Sequence, residues 1–229
     1  MGKPENPSTR SRCALIVSSS STSVTMSNTN LHDEFRCHAI LLAAGRGRRF
    51  DPEGQISKLH QLIHDNVSVI EQSALQLSSV IPQCHIVTRS ASDWPESFLQ
   101  QFASSIIVCG DADLGMAHSL VCGVQALPPE CDAVVIALAD MPFIEAATID
   151  AIVLALRNGA SIAVPVFQGQ RGNPVGFSRA MFAELVQLRG DQGARALLKT
   201  CPVLELFVND AGILRDIDTP ADLSFANLS

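Results

Sequence analysis

Leu41–Phe50 reads LLAAGRGRRF, and its interpretation decides the fold. An apolar run stops at Ala43–Ala44–Gly45, and Arg46, Arg48 and Arg49 follow within four residues. The whole chain carries a formal charge of -7, so this positive charge is local. His38–Ala44, HAILLAA, reads as a strand buried on both faces. In an open parallel sheet, ligands bind outside the carboxyl ends of the strands, and that is where this glycine loop falls.

Two common nucleotide loops fail on specific residues. A dinucleotide fingerprint needs G-x-G-x-x-G; Gly45 and Gly47 fit, but Phe50 stands at the third position, and DPEGQ follows where a helix should open. A P-loop needs Gly-Lys-Ser/Thr at its end, which is missing. Two readings remain. One is a solvated turn with surface arginines. The other is a loop whose amides at Ala44–Gly47 cradle a polyphosphate, with Arg49 and Lys58 neutralising it and Arg48 facing solvent.

Downstream, apolar runs alternate with helical spacing. Strands are expected at 84–88 (CHIVT), 105–109 (SIIVC), 133–138 (AVVIAL) and 160–167 (ASIAVPVF). Helices are expected at 68–80, 94–102, 115–127 and 145–156. Past residue 167, strand-like 173–178 and 203–208 surround helical 179–188 and 193–200. The end, GILRDIDTPADL over 212–223, reads as a short strand, a turn and a helix starting at Pro220. This pattern predicts an α/β fold with helices covering a largely parallel sheet.

Composition narrows the function. Hydrophobic residues make up 47% of 229, enough for a sizeable core. No apolar run approaches the ~18 residues that span a bilayer, so no membrane association is expected. An acidic chain lacks the basic face that nucleic acid requires. The seven cysteines form no CxxC pair and are odd in number, which reads as reduced thiols in a cytoplasmic protein. Residues 1–35 include SSSSTSVTMSNTN, expected to be a disordered tail with Met26 as an alternative start; 36–229 is expected to be one domain.

If a polyphosphate binds, a divalent cation is expected, and Mg²⁺ takes one or two carboxylates plus phosphate oxygens. Asp140 ends the strand of VVIALADMPF, and LRDIDTP supplies Asp216 and Asp218 just before a helix. Each also fits a structural role: Asp140 as a turn or cap residue, Asp218 as the N-cap of the last helix.

The pieces LLAAGRGRRF, Lys58–Leu59, GMAHSL, LADMPF, GNPVGF and ILRDIDTPADL, in this order from about His38 to Leu223, resemble the MobA-like nucleotidyltransferases, and most nearly the molybdenum cofactor cytidylyltransferases. The resemblance implies a Rossmann-like, three-layer α/β/α nucleotidyltransferase fold with a mostly parallel mixed central sheet. It implies transfer of CMP from CTP to the terminal phosphate of molybdopterin, with pyrophosphate leaving and a molybdoenzyme as a possible recipient of the product. Carried across, Leu42, Ala43, Ala44, Gly45, Arg46, Gly47 and Arg49 form the nucleotide loop, Lys58 reaches the phosphates, and Gly115 and Ser119 lie near base and ribose. Asp140 and Asp218 hold Mg²⁺, Arg49, Lys58 and Asp140 carry the catalysis, and Gly172–Asn173–Pro174 builds the acceptor side. Ala44, where guanylyltransferases of the family have glycine, points to CTP. The chain departs from the family in the lengthened DPEGQIS between Phe50 and Lys58, and in His60 after Leu59. A guanylyltransferase, a sugar-phosphate nucleotidyltransferase and a cofactor-binding chaperone are the alternatives.

Overall fold

In a computed structural model, the described residues are 35–226 apart from 64–65, 91–93, 95–97, 99–100, 103–104 and 191–192, and apart from the side chains of 225 and 226. The tail expected over 1–35 therefore lies outside the described residues except for Phe35, and so does most of the helix expected at 94–102.

Four strands form a parallel block: β1 (Cys37–Leu42), β2 (Cys84–Thr88), β3 (Ser105–Val108) and β4 (Ala133–Leu138), in the spatial order β3-β2-β1-β4. The chain then reverses direction. Beside β4, and antiparallel to it, runs β7 (Val175–Ser178); β5 (Ile162–Phe167) is antiparallel to β7. The two-residue β6 (Gln170–Arg171) folds back on β5, and β8 (Leu204–Phe207) joins β5 in parallel. The sheet is thus mixed, with a parallel block on the side of the glycine loop.

Alternation along β1 creates two cores. Ala39 and Leu41 point into one with α1 (Val69–Val80) and α3 (Ala146–Arg157); Ile40 points into the other with α2 (Met116–Gln125). These layers make the α/β/α sandwich. Gly176 permits its closeness: a side chain there would strike Ile152 and Leu156 of α3. A capping box starts α1, with Ser68 Oγ accepting from the Glu71 amide and Glu71 accepting from the Ser68 amide. Shorter helical turns follow as α4 (Phe182–Leu185) and α5 (Leu197–Thr200), and α6 (Pro220–Ala226) closes the described chain. Among the described residues no helix is long and apolar enough to cross a membrane.

Two expectations need correction. The strand expected near 212–218 is absent: Ala211–Leu214 forms a 3₁₀ turn, and 215–218 runs on without joining a strand ladder. Its backbone is engaged by loops instead, with the Asn173 amide donating to Ile213 O (3.0 Å) and the Ile217 amide to Asp140 O (2.8 Å). The second concerns the thiols. Cys109, just past β3, and Cys122 on α2 are joined in a disulfide, because the fold brings their Cα atoms to 6.0 Å. Cys37, Cys84, Cys131 and Cys201 are free, and Cys13 lies outside the described residues. Burial pushes the thiols of Cys37 and Cys84 up to about 12 and that of Cys131 up to about 11.

Candidate active site

The register of β1 and β4 builds the site. Leu42 pairs with Leu138, so the two strands end level and their following loops lie side by side. The Ala139 amide donates to Leu42 O (3.1 Å), and the Ala43 amide to Val87 O (2.8 Å). The glycine loop and Asp140 thereby share one end of the sheet. Gly47 adopts φ +61°, a left-handed conformation in which glycine is favoured, and the Phe50 and Asp51 amides turn back to its carbonyl. The inserted DPEGQIS forms a compact loop on Asp51, whose carboxylate accepts from the amides of Glu53, Gln55 and Ile56 and lies below its ordinary range for that reason. That loop delivers Lys58 back to the cleft, buried and packed beside Gly47.

Lys58 Nζ donates to Asp140 Oδ2 at 2.7 Å and to Asp218 Oδ1 at 3.0 Å. Burial pulls the ammonium toward neutrality, but the charges and hydrogen bonds of Asp140 and Asp218 outweigh it and raise its pKa. For Asp218, burial likewise opposes ionisation, and the bonds from Lys58 and Arg49 outweigh it, holding the carboxyl low. Asp216 is raised, first by burial and then by the neighbouring charges of Asp140 and Asp218. Carboxylate oxygens of Asp140, Asp216 and Asp218 lie within 4.8 Å of one another. Oδ1 of Asp140 is buried and has no hydrogen-bond partner among the described residues. An orphaned carboxylate oxygen beside two further carboxylates suits a hard divalent cation with oxygen ligands.

A cleft of about 440 Å³ opens over Lys58 and Asp140, while Asp216 and Asp218 lie outside its lining. Of the residues expected at the nucleotide, Leu42, Ala43, Ala44, Gly45, Arg46, Lys58, Gly115, Ser119 and Asp140 line it. Gly47 is not in the lining; a Cβ there would meet the Lys58 stem at 3.5 Å. The arginines divide differently from expectation. Arg48 lines the cleft, whereas the Arg49 side chain is 81% exposed and its guanidinium is ion-paired to Asp218. Arg46 forks the carboxylate of Asp113 on the opposite wall, and Arg89 lies 3.6 Å from the same carboxylate. Gly172 has a packing role, since a side chain there would overlap Ile213; the Asn173–Pro174 peptide next to it is cis.

One residue that organises the site carries no local signature in the sequence. Asp210 is buried, and its Oδ2 accepts from the Glu145 amide (2.9 Å) and Thr148 Oγ1 (2.7 Å) at the start of α3, while Oδ1 accepts from the Gly212 amide (2.8 Å). It caps from a distance the helix that follows Asp140, and ties it to the turn that precedes Asp216 and Asp218. Gly212 sits so close to the Phe143 carbonyl that a side chain has no room.

A mixed α/β sheet whose glycine loop, Lys58 and Asp140 meet at one end of the parallel block has the arrangement of a nucleotidyltransferase domain. The chain belongs to the MobA-like NTP transferase domain family, whose profile matches residues 39–206. It is 33% identical over 196 residues to the purine catabolism protein PucB of Bacillus subtilis, covering 80% of this chain and 92% of that one. Its fold is shared by a nucleotidyl transferase from Methanothermobacter (20% identity, 84% of this chain and 96% of that one, TM-score 0.70). It is also shared by Rv0371C of Mycobacterium tuberculosis, solved as a manganese complex (24% identity, 85% and 99%, TM-score 0.68).

Proposed function

We propose that the protein transfers the CMP group of CTP to the terminal phosphate of molybdenum cofactor, yielding the cytosine dinucleotide form of molybdopterin and pyrophosphate. The observation that carries this reading is the meeting of the glycine loop, Lys58 and Asp140 in one cleft, with Lys58 Nζ 2.7 Å from the aspartate. The resemblance in LLAAGRGRRF, LADMPF and DIDTPADL supplies the acceptor, and Ala44 supplies the choice of base.

In this reading an oxygen of the acceptor phosphate attacks the α-phosphorus in line, and the bond to the pyrophosphate oxygen breaks. A phosphate monoester is nucleophilic near neutral pH, so no side chain has to remove a proton from it. The chain's task is to hold two anions together. Amides of 43–47 surround the phosphates, Lys58 places a point charge at the base of the cleft, and Arg48 and Arg49 flank it. Asp140 and Asp218, with Asp216 beside them, would hold Mg²⁺, which when bound supplies charge neutralisation on the phosphate oxygens. Gly115 and Ser119 flank the nucleoside, and Gly172–Asn173–Pro174 forms the acceptor side. The product would pass to a cytoplasmic molybdoenzyme.

The test is pyrophosphate release with molybdenum cofactor and each NTP in turn, with the product identified by mass. CTP is expected to give the highest rate. Preference for GTP would overturn the choice of base. Tight binding of the cofactor with no pyrophosphate from any NTP would replace the enzyme by a carrier.

A further inference from the structure

The wall of the cleft opposite the glycine loop is built from an unusual span. Residues 110–116 contain no buried side chain, yet Ala112, Asp113, Gly115 and Met116 line the cleft, and Ser119 does so one turn further on. Leu114 and Met116 are exposed apolar residues there, at 62% and 46%. The buried residues that bracket the span are Cys109 and Ala117. Cys109 is also the residue whose sulfur is bonded to Cys122, a turn beyond Ser119 on α2. The disulfide thus joins the near end of the wall to the helix at its far end, across a sequence separation of 13. At the tip of the same wall, Asp113 grips Arg46 of the glycine loop. The wall and the glycine loop are thus joined by this ion pair.

We propose that the thiol–disulfide state of Cys109 and Cys122 controls nucleotide affinity, the disulfide holding the 110–116 wall in its binding geometry and reduction releasing it. This regulation rests on the reading of the cleft as a nucleotide site. The chemistry is exchange with a low-molecular-weight thiol. Two such thiols give up their protons and two electrons, the Cys109–Cys122 bond breaks, two protein thiols form, and the small thiols leave as their own disulfide. Of the other described cysteines, Cys37, Cys84 and Cys131 have thiols held protonated by burial, and Cys201 serves below as the control. A linked loop has fewer open conformations than a free one, so the bound geometry is more populated in the oxidised chain.

The experiment uses the full chain, air-oxidised or reduced with a phosphine. Alkylation of the denatured, unreduced protein is expected to leave Cys109 and Cys122 unmodified. Reduction is expected to speed amide hydrogen exchange at 110–116. It is also expected to raise the Kd for CTP about fivefold, as when the competent population falls to roughly a fifth, with kcat nearly unchanged. Cys122→Ser should show the reduced behaviour in both conditions, while Cys201→Ser should respond like the wild type. Alkylation of both cysteines without reductant, unchanged exchange on reduction, or equal CTP affinity in the two states would each overturn the proposal. Faster exchange on reduction with no NTP bound in either state would show that the clip exists and the nucleotide reading is wrong, and the coupling falls with it.

Discussion

Lys58 Nζ and Asp140 Oδ2 lie 2.7 Å apart across 82 residues of chain, and the same ammonium reaches Asp218 at 3.0 Å across 160. Lys58 therefore holds the two carboxylates together at the base of the cleft. Replacing it with methionine, which keeps the stem and removes the charge, leaves three carboxylates to repel one another. Lys58→Met is expected to weaken CTP binding, slow transfer and cost about 2 kcal/mol of stability, less than a fully buried pair because the carboxylates are partly wet. Urea unfolding and calorimetric CTP titration measure these effects. Unchanged CTP binding and turnover would remove Lys58 from the site.

Asp140 faces the cleft with an orphaned oxygen, so its loss should affect chemistry more than folding. Asp140→Asn is expected to lower the rate of pyrophosphate release by about 10²–10³-fold, the scale of removing one electrostatic contributor to a transition state. Its Tm should stay within about 3 °C of wild type. Wild-type rates in saturating Mg²⁺ would rule out a metal role for this carboxylate.

At the other end of the strands, His38 and His85 lie edge to edge with near-parallel rings, His38 Nδ1 2.8 Å from His85 Nε2 and His85 Nδ1 2.7 Å from Ser105 Oγ. One nitrogen of the His–His contact must accept, so the pair requires at least one neutral ring. Burial lowers both pKa values; Glu130 partly offsets this at His38, and His38 adds to it at His85. The unfolded chain then takes up protons first as pH falls. Stability is full above about pH 6.5 and declines below it, by up to about 1.4 kcal/mol per pH unit for each proton of difference, until the folded pKa is passed. Tm measured from pH 8 to 5 should fall in that window. His85→Gln should flatten the profile, and an identical slope in that variant would exclude the pair as its source.

Gly212 lies against the Phe143 carbonyl, where an added Cβ would overlap backbone that cannot swing aside. Gly212→Ala is expected to cost about 3 kcal/mol and to lower transfer as well, since it pushes apart the two segments that carry Asp140 and Asp218. Chemical denaturation reads the first effect and pyrophosphate release the second. A variant as stable as wild type would show that the turn relaxes freely.

The parallel half of the fold was legible because its strands are short, continuous apolar runs with amphipathic helices between them: 84–88 and 133–138 fall where the pattern put them. The reversal of direction at β7 and β5 has no such local signal; it came with the family resemblance rather than from periodicity. The run GILRDID alternates like a strand, yet its partners are the loops at Asn173 and Asp140, which only the tertiary fold supplies. At the site, Asp140 could be picked out because a charge just past a buried strand is rare, whereas Lys58 and Asp218 were marked by the family motifs that hold them. The division of labour among Arg46, Arg48 and Arg49 could not, because it depends on Asp113 and Asp218 lying on opposite sides of the loop. Asp210 was missed because a remote helix cap leaves no spacing motif, and the Cys109–Cys122 pair because only the packing of α2 on β2 and β3 brings the two together.

The backbone bond from the Ile217 amide to Asp140 O has a consequence for synthesis of the chain. Translation produces the glycine loop, Lys58, Asp140 and all eight strands before the DIDTP segment. Until then the nascent domain has Lys58 beside a single aspartate, without the Asp210 cap or the Asp218 partner. The DIDTP segment thus works like a keystone: a chain cut after Phe207 would carry all eight strands but neither Asp216 nor Asp218, and the charge cluster would be complete only once that segment is added.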